Sequence, residues 1–89
     1  HYSPGIPVEM NKKSVKKHQA LIGFGEKFKT GKSHFNLSKS GNLKEAANNL
    51  YKTMREIKKR KFKSIAVTKI PKIGIGFAIN DRLKKASNK

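Results

Sequence analysis

The chain has 89 residues, no cysteine and a formal net charge of +17, which excludes a disulfide scaffold, a thiolate nucleophile and a cysteine-held zinc ion. A chain this short buries only about 60 to 65% of its extended surface on folding, so it fits one domain with a thin stability margin. The charge first suggests nucleic acid or an anionic surface as partner, yet lysine supplies nearly all of it, with arginine only at Arg55, Arg60 and Arg82.

Together with seven asparagines, this lysine load reads as a drift of the whole composition, giving a surface that holds polyanions, transfer RNA among them, only weakly. His1, His18 and His34 lack metal-ligand spacing, and no metal is expected. No apolar run approaches the roughly 18 residues of a membrane span, so a soluble, cytoplasmic protein with no membrane partner is the expectation. A start on His1, with a proline-containing leader, reads as a piece of a longer protein.

Residues 1–7 hold Pro4, Gly5 and Pro7 and predict an extended linker, because proline fixes the backbone and lacks a donor. Ile6, Val8 and Met10 then alternate with Pro7 and Glu9, a short edge strand. Asn11 to His18 is lysine-rich and too polar to bury, a solvated connection. Ala20 to Phe24 is apolar apart from Gly23, as in a strand covered on both faces. The following loop ends in Gly31, Lys32 and Ser33, but a phosphate-binding loop needs four residues between its glycines and a helix after it. Here five separate Gly25 from Gly31 and an extended pattern follows.

His34 to Ser38 alternates as a strand, and Asn42 stands where it caps a helix after the Ser40 to Asn42 turn. In that helix Leu43, Ala46, Ala47, Leu50, Tyr51, Met54 and Ile57 form one apolar stripe. Lys58, Lys59, Arg60, Lys61 and Lys63 follow, complementing the helix dipole, and Glu56 is spaced to pair with Arg60. Phe62 reads as a core residue. Ile65 to Val67 is a second buried strand.

The chain closes on GIGFAINDRLKKA, from Gly74 to Ala86. Gly74 and Gly76 allow a tight turn into a helix whose stripe is Ile75, Ile79, Leu83 and Ala86. The free amides of its first turn would tolerate an anion. A dinucleotide fingerprint would need a third glycine where Ile79 stands. A long helix between two short buried strands implies a parallel crossover. The fold expected is therefore a small α/β layered domain, a mostly parallel sheet of about four strands with helices packed on it. The acids Glu9, Glu26, Glu45, Glu56 and Asp81 lie far apart, without a pair for acid–base work, and no serine sits in a nucleophile elbow. By itself the fragment does not read as an enzyme.

Taken together, HYSPGIPV, ALIGFG, FNLSKSGNLKEAANNLYKTMR and IAVTKIPKIGIGFAINDRLKKAS resemble, in order and spacing, the carboxyl-terminal domain of two-domain threonylcarbamoyl-AMP synthases. The resemblance implies a Rossmann-like fold, with residues 1–9 as the end of an interdomain linker and 10–89 as the accessory domain. It further implies a covalently attached YrdC-type catalytic domain. That domain would use ATP, L-threonine and bicarbonate to make threonylcarbamoyl-AMP for threonylcarbamoyladenosine in transfer RNA. ATP and magnesium would belong to it, leaving no cofactor for this fragment.

On this resemblance His1, Tyr2, Ser3 and Pro4 would cover the catalytic pocket. For Gly74, Gly76, Asn80, Asp81 and Arg82 the resemblance implies a ligand or domain-interface corner without saying which: a capped, internally hydrogen-bonded turn is favoured over a ligand site, and the alternative is that Asp81 and Arg82 meet the catalytic domain. Two alternatives are a basic transfer-RNA-binding module and a small nucleotide-sensing domain built on the Gly74 to Phe77 corner.

Overall fold

A computed structural model describes residues 6–87; His1, Tyr2, Ser3 and Pro4 lie outside the described residues. The elements are β1 (Val8–Glu9), β2 (Gln19–Gly23), β3 (His34–Asn36), α1 (Leu43–Lys59), β4 (Ser64–Val67) and α2 (Ile75–Ser87). They form a small α/β layered domain: a four-stranded, all-parallel sheet with two helices, in strand order β1-β4-β2-β3. The parallel crossover expected between the two apolar strands is present, with Ala20 opposite Ile65 and Ile22 opposite Val67.

The strand order dictates which face each connection covers. From β1 to β2 and from β2 to β3 the chain moves across the sheet in one direction, and from β3 through α1 to β4 it moves back. Because parallel connections are right-handed, the first two must cross one face and α1 the other. The burial pattern agrees. Val8, Ala20, Ile22, Ile65 and Val67 share one face and join Ala46, Leu50, Met54 and Ile57 of α1 and Ile79, Leu83 and Ala86 of α2 in a single core. On the opposite face Leu21 and Ala66 are buried without a helix to cover them. There Phe28, from the β2–β3 connection, lies so close over Gly23 that any side chain at Gly23 would overlap its ring.

Local chemistry sets the helix limits. The Glu45 amide donates to Asn42 Oδ1 over 2.8 Å, the expected cap, and the Arg60 amide closes the far end on the Glu56 carbonyl. The Arg60 side chain also reaches Glu56 at 2.8 Å, as its spacing required. Phe62 is half-buried and meets Phe35 edge-on at 6.0 Å, packed against the core.

One expectation fails in α2. Helical spacing puts Ile75 on the buried stripe, but it is 43% exposed. The inward position of the first turn belongs to Gly76, which is buried and sits against the Pro71 carbonyl and Leu43. With the backbone that close, no side chain fits there, and the turn rotates Ile75 outward.

Candidate functional site

Residues following strands β1 and β4 leave the carboxyl edge of the sheet side by side. After β4 the chain runs through Thr68 to Ile73, turns at Gly74 in left-handed backbone (φ 49°) and enters α2. The corner closes on itself: the Gly76 amide donates to the Ile73 carbonyl at 2.7 Å and the Phe77 amide to Gly74 at 3.1 Å. Two amides that an anion would need at this helix start are thereby engaged.

Asn80 clips the corner from inside. Its Nδ2 donates to the Ile70 carbonyl at 3.0 Å and to the Gly76 carbonyl at 2.8 Å. Asp81 faces outward to Lys85 at 3.1 Å, and the Arg82 guanidinium lies 5.1 Å from the centre of the Tyr51 ring on α1. Gly74, Gly76 and Asn80 thus form one turn, whereas Asp81 and Arg82 diverge from it. What the sequence pattern did not reveal is the apolar surface on this corner: Ile73 is 65% and Phe77 61% exposed, alongside Ile75. Their signal was an apolar residue at every second position from Ile73 to Phe77, a period that no helix start can bury.

Beside the corner is a cleft of about 620 Å³ lined by Asn11, Lys12, Lys13, Thr68, Lys69, Ile70, Pro71 and Lys72. Its two walls are fastened by the Lys12 amide donating to the Val67 carbonyl at 2.8 Å. The opposite edge, at the amino ends of the strands, carries a second basic group. There Lys16, Lys17 and His18 lead into β2 while Lys58, Lys59, Lys61 and Lys63 lead into β4, joined where the Lys63 amide meets the His18 carbonyl at 2.8 Å.

Glu9 and Glu45 are bound into the structure. Glu9 accepts from Gln19 Nε2 at 3.3 Å and from Lys16 at 3.2 Å, and these two contacts, Gln19 foremost, hold its carboxyl below the usual range despite partial burial. Glu45 accepts from Ser38 Oγ, whose oxygen also receives the Asn42 amide at 2.9 Å. Among the described residues no three His, Cys, Asp or Glu gather as metal ligands, and no helix is long and apolar enough to cross a membrane.

No curated protein matches the chain. A family model described as the threonylcarbamoyl-AMP synthase, C-terminal domain, matches residues 1–88. The matched range takes in the HYSP leader, β1 and nearly all of the closing segment. The chain belongs to the family of threonylcarbamoyl-AMP synthase C-terminal domains.

Proposed function

We propose that this chain is the non-catalytic carboxyl-terminal domain of an L-threonylcarbamoyladenylate synthase, and that it holds the leader His1 to Pro4 over the active site of an attached YrdC-type domain. The parent enzyme would join ATP, L-threonine and bicarbonate into threonylcarbamoyl-AMP for transfer-RNA modification, its own domain binding ATP and magnesium. The observation that carries the reading is the family match, which includes the leader. The sheet supports it mechanically. The residues just after the leader form edge strand β1 beside β4, the Ile65 amide donates to the Pro7 carbonyl at 2.8 Å, and Val8 is buried in the core. A linker fastened this way can transmit the position of the domain body to the segment before it.

The exposed Ile73, Ile75 and Phe77 offer an apolar surface for the catalytic domain, with Asp81 and Arg82 beyond it. In the full-length enzyme, Tyr2→Ala and deletion of residues 10–89 are each expected to reduce adenylate formation, followed as pyrophosphate release. Full turnover in both variants would refute the role.

A second reading, contact with transfer RNA, is favoured by the basic group at the amino edge of the strands. It expects affinity that falls steeply with the logarithm of salt concentration, because each neutralised phosphate releases counterions, and it requires transfer RNA to outcompete heparin. Equal binding of the two would reduce the contact to unspecific charge.

A further inference from the structure

The cleft at the carboxyl edge has three features that the linker role does not use. First is its place. The chain leaves β1 toward one face of the sheet and β4, its neighbour, toward the other, and such points of divergence at the carboxyl ends of parallel strands are where open α/β sheets form ligand crevices.

Second is its electrostatics. Lys12, Lys13, Lys69 and Lys72 line it, and no carboxylate does. Glu9, whose carboxyl feels Lys12, is bonded to Gln19 and Lys16. Neither the amides nor the ammonium groups of Lys13, Lys69 and Lys72 make a hydrogen bond or ion pair among the described residues. Four cationic side chains are therefore gathered in one concavity without a carboxylate, unlike the lysines of an ordinary solvated face.

Third is its shape and lining. About 620 Å³ lies within the range of small-molecule sites, about 300–1,000 Å³, and the lining includes Pro71 and the nearly inaccessible Ile70. Asn11, in left-handed backbone with φ 57°, turns the chain sharply after β1, and the Lys12 amide ties the rim to Val67. The exposed Pro71 ring beside several cationic side chains suits a compact polyanion that also carries a flat apolar group. It does not suit an extended strand of RNA, which would need a longer groove with several stacking platforms.

We infer that the cleft between the ends of β1 and β4 binds a nucleoside polyphosphate, its phosphates held by Lys12, Lys13, Lys69 and Lys72 and its base laid on the exposed ring of Pro71. The site is separate from the Gly74 to Phe77 turn, whose Gly76 and Phe77 amides are engaged, and it stands independently of the proposed linker role.

The test is titration of the isotopically labelled 89-residue chain with ATP, followed through backbone amide shifts. Expected are saturable shifts concentrated at residues 11–13 and 68–72, with a dissociation constant of roughly 10–100 µM, typical of a small, partly open site. The double variant Lys69→Glu/Lys72→Glu is expected to weaken binding by about tenfold or more, the loss of roughly one charge-assisted contact or more. Lys58→Glu/Lys59→Glu, which changes net charge equally at the far edge, should leave the affinity within about twofold, because separation beyond a Debye length screens it. Both variants change exposed side chains, and an unaltered amide spectrum outside the substituted positions verifies their fold.

Shifts spread over lysines throughout the chain, or equal loss in the two double variants, would overturn the site. Inorganic tripolyphosphate binding as tightly as ATP would overturn the role of a base. A short single-stranded RNA giving the same localised shifts at lower concentration would overturn it in favour of RNA.

Discussion

At the scale of single residues, close backbone approach separates one glycine from the others. A methyl at Gly76 would overlap the Pro71 carbonyl oxygen, which is backbone and follows the Ile70 carbonyl that Asn80 holds. Gly76→Ala is therefore expected to destabilise by about 2–4 kcal/mol, the range of overpacking with backbone displacement, read as a lower urea midpoint. Gly25→Ala meets open space, but its φ of 96° should cost only about 1–2 kcal/mol of left-handed strain. Equal losses in the two variants would show that the Pro71 loop yields freely. Glu9 provides a second test. It meets Gln19 across β4, above Ser64 and Ala66, whose small side chains leave room for the bridge. Gln19→Leu removes the principal cause of the lowered Glu9 pKa, so the carboxyl carbon of Glu9 should titrate at higher pH in the variant. Because the folded pKa is depressed, the stabilisation is present above the unfolded value and is lost as pH falls through the folded one. The difference between native and variant chains attributable to Glu9 should therefore shrink in acid.

At the scale of elements, α1 and β2 were legible because each satisfies a local rule. The α1 stripe buries Ala46, Leu50, Met54 and Ile57 and begins on an asparagine whose side chain takes an amide. Asn42→Ala should accordingly cost about 1 kcal/mol, measured by thermal or urea unfolding; no loss would mean that Ser38 alone holds the turn. Ala20 to Gly23 are buried as the apolar run anticipated, but the strand begins one residue earlier, on the buried Gln19, and stops before the half-buried Phe24. The insertion of β4 between β1 and β2 was not legible, because parallel partners are chosen by contacts distant in sequence, not by periodicity. For the same reason the cleft escaped notice. Its lysines belong to two segments, 11–13 and 68–72, each of which alone looks like a solvated loop. The exposed Ile75 was misread because helical spacing places residues 75 and 76 almost equally near the stripe of Ile79 and Leu83. Only the proximity of Pro71 decides that glycine takes the inward side.

At the scale of the whole molecule, the balance is between a small core and a large like charge. The core extends over one face of a sheet whose longest strand has five residues, while 22 cationic side chains face five acids. Salt bridges relieve little of this. Three ion pairs among the described residues, Lys16 with Glu9, Arg60 with Glu56 and Lys85 with Asp81, are largely solvent-exposed, and such pairs contribute about 0–1 kcal/mol each. Self-repulsion among the remaining lysines must then subtract from stability, and it acts through water, where the Debye length falls from about 30 Å at 0.01 M salt to about 3 Å at 1 M. The described residues extend only 30 × 28 × 20 Å, so at low salt every lysine lies within reach of many others, and at high salt only its neighbours matter. Raising sodium chloride from about 0.01 to 0.5 M should therefore increase the melting temperature. Relief of 1 kcal/mol in a domain this small corresponds to about 4–8 °C. Lys69→Glu/Lys72→Glu, which lowers the net charge by four, should begin from a higher melting temperature at low salt and respond less to added salt. A melting temperature that falls with salt in the native chain would mean that its ion pairs outweigh the repulsion.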